Sequence, residues 1–210
     1  MTNAEKLPEF LIDGPAEAAL TFAFAHGAGA PMDTLFMNYF AAGLAAKGWR
    51  VVRFEFPYMA ERRDTGKKRP PNPQRILEET WRTVINDLGA DRLVIGGKSM
   101  GGRMASLVAD NAGVRGLVCL GYPFHPPGRP EKLRTEHLAA LKTPTLICQG
   151  ERDPFGGKEE VPGYTLSKAI RLHWAPDGDH GLKPRKKSGH TEEENIAAAV
   201  DAIADFMGKL

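Results

Sequence analysis

The sequence has almost no imbalance of charge and very little cysteine. Its 28 lysine and arginine residues nearly cancel 26 aspartate and glutamate residues, which leaves a formal net charge of +2. A dedicated nucleic-acid-binding domain usually carries a strongly basic face, so we expect no nucleic-acid partner. The two cysteines, Cys119 and Cys148, lie inside apolar runs, so we expect buried free thiols, with neither a disulfide nor a metal site.

Long apolar segments are also missing. No uninterrupted apolar run approaches the roughly 20 residues that cross a membrane. The first residues, MTNAEKLPEFLIDG, carry acidic side chains where a signal peptide would be positive. We therefore expect a soluble, cytoplasmic protein with no membrane partner. With 210 residues and 42% hydrophobic content, the chain can bury a substantial core, and we expect a single domain over 1–210.

Short runs rich in valine, isoleucine, leucine and phenylalanine alternate with longer amphipathic stretches. This alternation is typical of parallel strands joined by crossover helices, so we predict an α/β fold with a mostly parallel sheet of about six or seven strands and helices on both faces. The predicted strands lie near residues 20–27, 49–57, 91–97, 116–123, 143–150 and 169–175, and EFLIDG is a candidate edge strand.

Helices are predicted between these strands. One covers 33–47, and a second has Asn72 as its N-cap, Pro73 as its first residue and an end near Leu88. A third should start just after Ser99. The last begins at Thr191, whose spacing to Glu194 predicts a capping box.

The segment VIGGKSMGG (94–102) fits two different chemistries. Gly97-Lys98-Ser99 ends the phosphate-binding pattern Gly-x-x-x-x-Gly-Lys-Ser, and residues 97–101 also form the Gly-x-Ser-x-Gly of a nucleophile elbow. The phosphate pattern needs glycine where this chain has Arg92, and the residues that follow are strand-like. The elbow needs an apolar strand, small residues on both sides of the serine and a following helix, and the segment provides them all. We therefore predict that Ser99 is a nucleophile.

A serine nucleophile needs a base to take its proton and an acid to orient that base. In hydrolases built on such an elbow, the order along the chain is serine, acid, histidine. The strand end QGERDPFG provides Asp153, with Glu151 as the alternative acid, and the next strand leads into DGDHG, which provides His180. We predict a triad of Ser99, Asp153 and His180.

An attacked carbonyl also needs two amide donors for its developing negative charge. The N–H of Met100, directly after the nucleophile, is one predicted donor. The loop AHGAGAPM, which follows an earlier strand, supplies the other from Ala28, with Gly29 as the alternative. Three further side chains are candidates for substrate contact: His26, His125 and Lys98.

These segments together resemble the α/β-hydrolase superfamily over nearly the whole chain, from about Leu20 onward. More narrowly, GGKSMGGRMAS, HGAGAPMD and DGDHGLKP resemble a group of small, lidless bacterial predicted hydrolases. That group is related to dienelactone hydrolases and to a eukaryotic subunit of a histone-acetylating complex. Dienelactone hydrolases use cysteine as their nucleophile, and Ser99 departs from that pattern.

The resemblance implies an α/β-hydrolase fold that cleaves a small-molecule ester or related acyl bond through an acyl-enzyme, with no metal or organic cofactor. Two alternatives share the fold. One is a noncatalytic interaction module, like the related complex subunit, and the other is an acyltransferase or thioesterase.

Two features describe the surroundings of the predicted site. The connection 123–142 is too short for a large lid, so we expect an open, shallow site. Two basic loops, 61–71 and 183–190, follow strands that should run parallel and so should emerge on the same side as Ser99. We expect solvated loops, with the alternative that they form a positive rim attracting an anionic substrate.

Overall fold

One seven-stranded sheet organises the residues that the computed structural model describes, 6–210. Its order is β1-β3-β2-β4-β5-β6-β7, in which β1 pairs antiparallel with β3 and the other pairs are parallel. The predicted mostly parallel sheet is confirmed, and EFLIDG forms its edge strand. The strands are β1 (Phe10–Asp13), β2 (Thr21–Ala25), β3 (Arg50–Phe54), β4 (Leu93–Lys98), β5 (Gly116–Leu120), β6 (Thr145–Gly150) and β7 (Ile170–Ala175).

Helices cover both faces of the sheet, as predicted. Helices α1 and α5 contact each other on one face, and α3 and α4 contact each other on the opposite face. The short α2 follows β3. The helices are α1 (Leu35–Ala46), α2 (Pro57–Thr65), α3 (Gln74–Leu88), α4 (Met100–Ala112) and α5 (Glu192–Met207).

The central strands explain why the core has two halves. All residues of β5 are buried, and alternate side chains point to opposite faces because a strand repeats every two residues. Leu117 and Cys119 join the apolar cluster under α3 and α4, whereas Val118 and Leu120 join the cluster under α1 and α5. A strand that is covered on both faces therefore needs apolar residues at successive positions, which gives a continuous apolar run in the sequence. Both cysteines are buried free thiols, as predicted.

Helix starts agree with the sequence at α4, which begins just after Ser99, and at α5, and differ at α3. At α5, Thr191 and Glu194 form the predicted capping box. At α3, the prediction is shifted by one residue, since Pro73 occupies the cap position and Gln74 is the first helical residue. The Asn72 side chain serves a different helix, because its Oδ1 accepts the Tyr58 N–H at 2.8 Å near the start of α2.

Helix α2 occupies part of a segment predicted to be a loop. Its start and end carry recognisable signals, Pro57 at the first helical position and Gly66 in the left-handed conformation after the last turn. Arg62 and Arg63 in its last turn also favour a helix end. The helix is short, with only Tyr58 and Met59 buried, so it lacks a long apolar stripe.

No large lid covers the sheet edge that carries the strand ends. Between β5 and β6, the chain forms only a short 3-10 turn, Glu136–Ala139. Among the described residues, every helix is too short or too polar to span a bilayer.

Candidate active site

Ser99 lies at the sharp turn between β4 and α4. Its φ of 51° is rare for a residue with a side chain and stores backbone strain. Two hydrogen bonds fix the turn: the Ser99 N–H donates to Leu120 O at 2.9 Å, and the Arg103 N–H donates to Ser99 O at 3.0 Å. The strained turn and the cavity beside it present the Ser99 hydroxyl to solvent.

Glycine is needed on both sides of Ser99 because other backbone segments approach these two positions closely. A Cβ at Gly97 would lie 2.5 Å from Ala25 O, and one at Gly101 would lie 2.5 Å from His26 O. Side chains at either position would therefore collide with the end of β2, as the spacing of the motif indicates.

His180 and Asp153 meet Ser99 at the carboxyl ends of the strands. The His180 Nε2 lies 2.9 Å from Ser99 Oγ, and its Nδ1 lies 2.8 Å from Asp153 Oδ2. A carboxylate can only accept, so Nδ1 carries the ring proton, and Nε2 is left with a lone pair facing the serine hydroxyl. The Phe155 ring lies against the imidazole, with the two ring centroids 4.3 Å apart.

Asp153 is held rigidly, whereas the alternative acid faces elsewhere. Asp153 is buried, and its carboxylate accepts hydrogen bonds from Gln149 Nε2 at 3.0 Å and from the Phe155 N–H at 2.9 Å. Glu151 instead pairs with Lys158 and accepts the Asp177 N–H at 2.9 Å. The geometry therefore favours Asp153 over Glu151 as the partner of His180.

The loop after β2 is held from behind through three successive carbonyl groups. Gly27 O lies 2.6 Å from His26 Nδ1, Ala28 O accepts from the Tyr58 hydroxyl at 2.9 Å, and Gly29 O accepts from Arg62 at 3.1 Å. Donors from α2 thus hold the carbonyl oxygens of Ala28 and Gly29. The helix that the sequence patterns did not predict is therefore a support of this loop.

The predicted amide donors lie next to Ser99 along the chain or in the cavity wall. Met100 is the first residue of α4, where a backbone N–H has no carbonyl one turn earlier to bind, and the positive end of the helix dipole adds to its attraction for an anion. Ala28 and Gly29 line the cavity wall beside Ser99. These groups can serve as a site for developing negative charge.

His26 supports the loop from behind and does not reach the cavity. The ring is buried, and its Nε2 lies 3.1 Å from the Phe56 N–H, which can only donate. Nε2 must therefore accept, which places the ring proton on Nδ1 and makes the ring neutral. Burial lowers the pKa of His26, which favours the same neutral form. This placement argues against the substrate contact expected of His26.

His125 also lies away from the cavity. It is buried, with Nδ1 at 2.8 Å from Pro126 O and Nε2 at 3.2 Å from Glu160 Oε1. Both ring nitrogens are thus engaged by neighbouring groups, and the substrate contact expected of His125 is not supported. Lys98, by contrast, does line the cavity.

The cavity at Ser99 has a volume of about 710 Å³ and is open to solvent. Its lining is largely apolar, with a few polar and charged groups. The apolar and glycine positions are Gly27, Ala28, Gly29, Ala30, Pro31, Phe36, Met37, Pro154, Phe155 and Gly181, and the polar ones besides Ser99 and His180 are Thr34, Lys98, Asp179, Lys183 and Glu192.

The two basic loops are partly neutralised by their own neighbours. Arg63 pairs with Asp33 and Glu55, and Arg69 pairs with Glu61. In the second loop, Lys183 pairs with Glu192, and Arg185 pairs with Asp177. Only part of the formal charge that suggested a positive rim is therefore available to a substrate.

A second serine–histidine contact occurs on α4. Ser106 Oγ lies 2.9 Å from His137 Nε2, which is a suitable distance for a nucleophile and a base. However, Ser106 is buried, its hydroxyl donates to Arg103 O at 2.7 Å, and it lies in the middle of a helix. Within the described residues, His137 has no carboxylate hydrogen bond or ion pair to orient it. This contact lacks the third group and the access that the Ser99 site has.

Tyr58→Phe tests the support behind the loop. Removing the hydroxyl leaves Ala28 O without this donor, so we expect the free energy of unfolding to fall by about 1 kcal/mol. Urea denaturation monitored by circular dichroism measures the change. Tyr39→Phe is the matched control, because Tyr39 is exposed on α1 and should leave the unfolding midpoint unchanged. Equal midpoints for both variants would contradict a supporting role for Tyr58.

Comparison with known families finds a match over most of the chain. Residues 18–208 match the family described as alpha/beta hydrolase domain. The chain belongs to this family. The match covers all of the sheet except β1, together with the serine turn and the loops that carry Asp153 and His180.

Solved structures of α/β hydrolases have the same fold. A dienelactone hydrolase from Anabaena variabilis aligns with a TM-score of 0.70 at 18% identity, covering 95% of this chain and 90% of the other. An α/β serine hydrolase without a lid from Xanthomonas campestris aligns with a TM-score of 0.67 at 19% identity, covering 95% and 88%. Est1E from Butyrivibrio proteoclasticus aligns with a TM-score of 0.67 at 14% identity, covering 95% and 94%. At these identities, the likeness shows the fold.

Proposed function

We propose that this α/β hydrolase is a serine hydrolase that cleaves a carboxylic ester or a related acyl bond through an acyl-enzyme. The proposal rests on one observation: hydrogen bonds join Ser99 to His180 and His180 to Asp153 beside an open cavity. The Est1E structure with bound ferulic acid supports a small-molecule substrate by analogy.

The first half of the reaction transfers the acyl group to the protein. Ser99 Oγ bonds to the carbonyl carbon while its proton passes to His180 Nε2, and Asp153 stabilises the imidazolium that forms. The amides of Met100 and Ala28, with Gly29 as the alternative, donate to the new oxyanion. The tetrahedral intermediate then breaks the bond to the leaving oxygen, which takes the proton from His180.

The second half returns the free enzyme. Water enters the open cavity and attacks the acyl carbon, and His180 Nε2 accepts a proton from the water. The second tetrahedral intermediate breaks its bond to Ser99 Oγ, which regains a proton from His180. The carboxylic acid leaves. Each step uses side chains already in position, and the atoms of the reaction balance with the ester and water alone.

The apolar lining of the cavity favours an uncharged acyl group. Phe36, Met37, Pro31 and Phe155 offer apolar contact, so we propose esters with a small uncharged acyl part as the first substrates to test. The open side of the cavity leaves room for a larger alcohol part. An anionic ester remains a second class to test, because Lys98 lines the cavity.

Covalent labelling by a fluorophosphonate tests the proposed nucleophile. The probe reacts with activated serine hydroxyls, so the wild-type protein should label and Ser99→Ala should not. Ser106→Ala is the matched control, because it removes the hydroxyl that contacts the His137 ring, and it should label as the wild type does.

Two results would contradict the proposal. Absence of labelling in folded wild-type protein would favour a noncatalytic binding module with this fold. Labelling that persists in Ser99→Ala and disappears in Ser106→Ala would assign the nucleophile to the contact on α4. Circular dichroism of every variant establishes that the protein tested is folded.

A further inference from the structure

Lys98 immediately precedes the strained serine, and its side chain turns toward the histidine loop. Its Nζ donates a hydrogen bond to the backbone carbonyl of His180. The ammonium also lies 5.4 Å from the centroid of the Phe36 ring. The side chain therefore connects the end of β4 to a loop 82 residues later in the sequence.

A glycine keeps the space that this ammonium needs. Gly121 follows β5 with a φ of 64°, and a Cβ there would lie 2.6 Å from Lys98 Nζ and 2.8 Å from His180 O. Any side chain at this position would thus enter the contact between the lysine and the carbonyl. The glycine at position 121 thus leaves room for the Lys98 ammonium, although a nucleophile elbow requires neither residue.

We propose that Lys98 is a positioning residue, which holds the main chain of His180 so that the imidazole stays between Ser99 and Asp153. This inference rests on the proposed function of Ser99 and His180. The side-chain contacts of His180 with Asp153 and with Phe155 orient the ring, but neither holds its backbone. The Lys98 ammonium supplies a donor to that backbone from the end of β4.

The charge of Lys98 matters for the strength of this contact. Burial lowers the pKa of Lys98 to about 8, against the opposing attraction of Asp153 and Asp179. Within the described part of the chain, Asp153 and Asp179 are the charged groups that act on the ammonium, His180 is its hydrogen-bond partner, and Phe36 packs against it from α1. Below a pH of about 8 the charged ammonium donates a strong hydrogen bond, and above it a neutral amine donates a weaker one.

Lys98→Met tests this inference, since methionine keeps an unbranched apolar side chain but has no donor. With p-nitrophenyl acetate as probe, we expect kcat to fall about ten- to a hundredfold because the base is misplaced, with KM changed less than about threefold. The wild-type kcat should decline as the pH rises through about 8, and this step should be absent in the variant. Lys209→Met, which removes an exposed lysine paired with Asp205, is the charge-matched control.

Hydrogen–deuterium exchange gives a readout that does not need turnover. Amides of residues 177–182 should exchange faster in Lys98→Met than in the wild type, whereas α5 should not change. Gly121→Ala keeps the lysine but would crowd both the Lys98 ammonium and the His180 carbonyl, and it should also raise exchange in the same segment.

The outcomes separate this inference from the proposed function. Unchanged kcat, pH profile and exchange in Lys98→Met would overturn the positioning role while leaving a Ser99-dependent hydrolase intact. A raised KM for a carboxylate-bearing ester with unchanged exchange would also overturn it, and would assign Lys98 to substrate binding. If the wild type fails to label at Ser99, the proposed function fails. Faster exchange in Lys98→Met would then still show that Lys98 holds the main chain of the His180 loop.

Discussion

Asp153→Asn should lower kcat by about 10⁴-fold under the proposed mechanism, with little change in the overall structure. Asparagine can present its amide N–H to His180 Nδ1, which would place the ring proton on Nε2 and remove the base that faces Ser99. Oδ1 of the variant can still accept the Phe155 N–H, but an amide nitrogen in the place of Oδ2 cannot accept from Gln149 Nε2, so circular dichroism of the variant checks that the fold is kept. Steady-state hydrolysis of p-nitrophenyl acetate measures the effect.

Glu151→Gln is the matched control for this substitution. Glu151 was the alternative acid in the sequence, and it lies in the same loop, where it contacts Lys158 and the Asp177 N–H. Its neutralisation should change kcat by less than about threefold, since it does not contact the triad. A large loss in Glu151→Gln with near-normal activity in Asp153→Asn would reverse the assignment of the acid.

Gly101→Ala should lower the free energy of unfolding by about 3 kcal/mol, which is the scale of overpacking at a site that cannot relax. The added Cβ would lie 2.5 Å from His26 O and 2.8 Å from Ala25 O, both of which are backbone atoms. Either β2 or the start of α4 must shift. For a chain of this size, the melting temperature should fall by roughly 6–12 °C.

Gly163→Ala is the corresponding control, because a Cβ at that glycine meets nothing within 4 Å. Its melting temperature should stay close to that of the wild type. Differential scanning calorimetry of the two variants, at equal protein concentration, makes the comparison. Equal melting temperatures for Gly101→Ala and Gly163→Ala would contradict the prediction. They would mean that the neighbouring backbone leaves room for a side chain at position 101.

The elbow shows why a short motif could be predicted from sequence. The phosphate-loop alternative fails because Arg92 stands where a glycine is needed, and in the structure the Arg92 guanidinium donates instead to the carbonyls of Ala18 and Ala19. Residues 93–98 then form a strand. Local patterns of this kind depend on neighbouring residues, so the sequence alone indicates a strand and a serine turn here and not a phosphate-binding loop.

The candidate histidines show that the order of residues along the chain is not enough to identify every residue of the site. His26, His125 and His180 all follow predicted strands, and each was expected near the site. Only His180 lies beside Ser99, while His26 and His125 are buried with their ring nitrogens engaged elsewhere. These three histidines follow three different strands, so which of them faces the site depends on the backbone conformation of each loop.

The sequence by itself determined the parallel sheet, the serine turn and the chain order of Ser99, Asp153 and His180, because apolar periodicity, glycine spacing and strand ends are local properties. Only the tertiary structure decided that α2 supports the loop after β2, that Asp153 and not Glu151 faces His180, and that Lys98 reaches the His180 carbonyl. Those contacts join residues far apart in the chain. Their geometry depends on how strands and loops from several segments pack at one edge of the sheet, which no local pattern encodes.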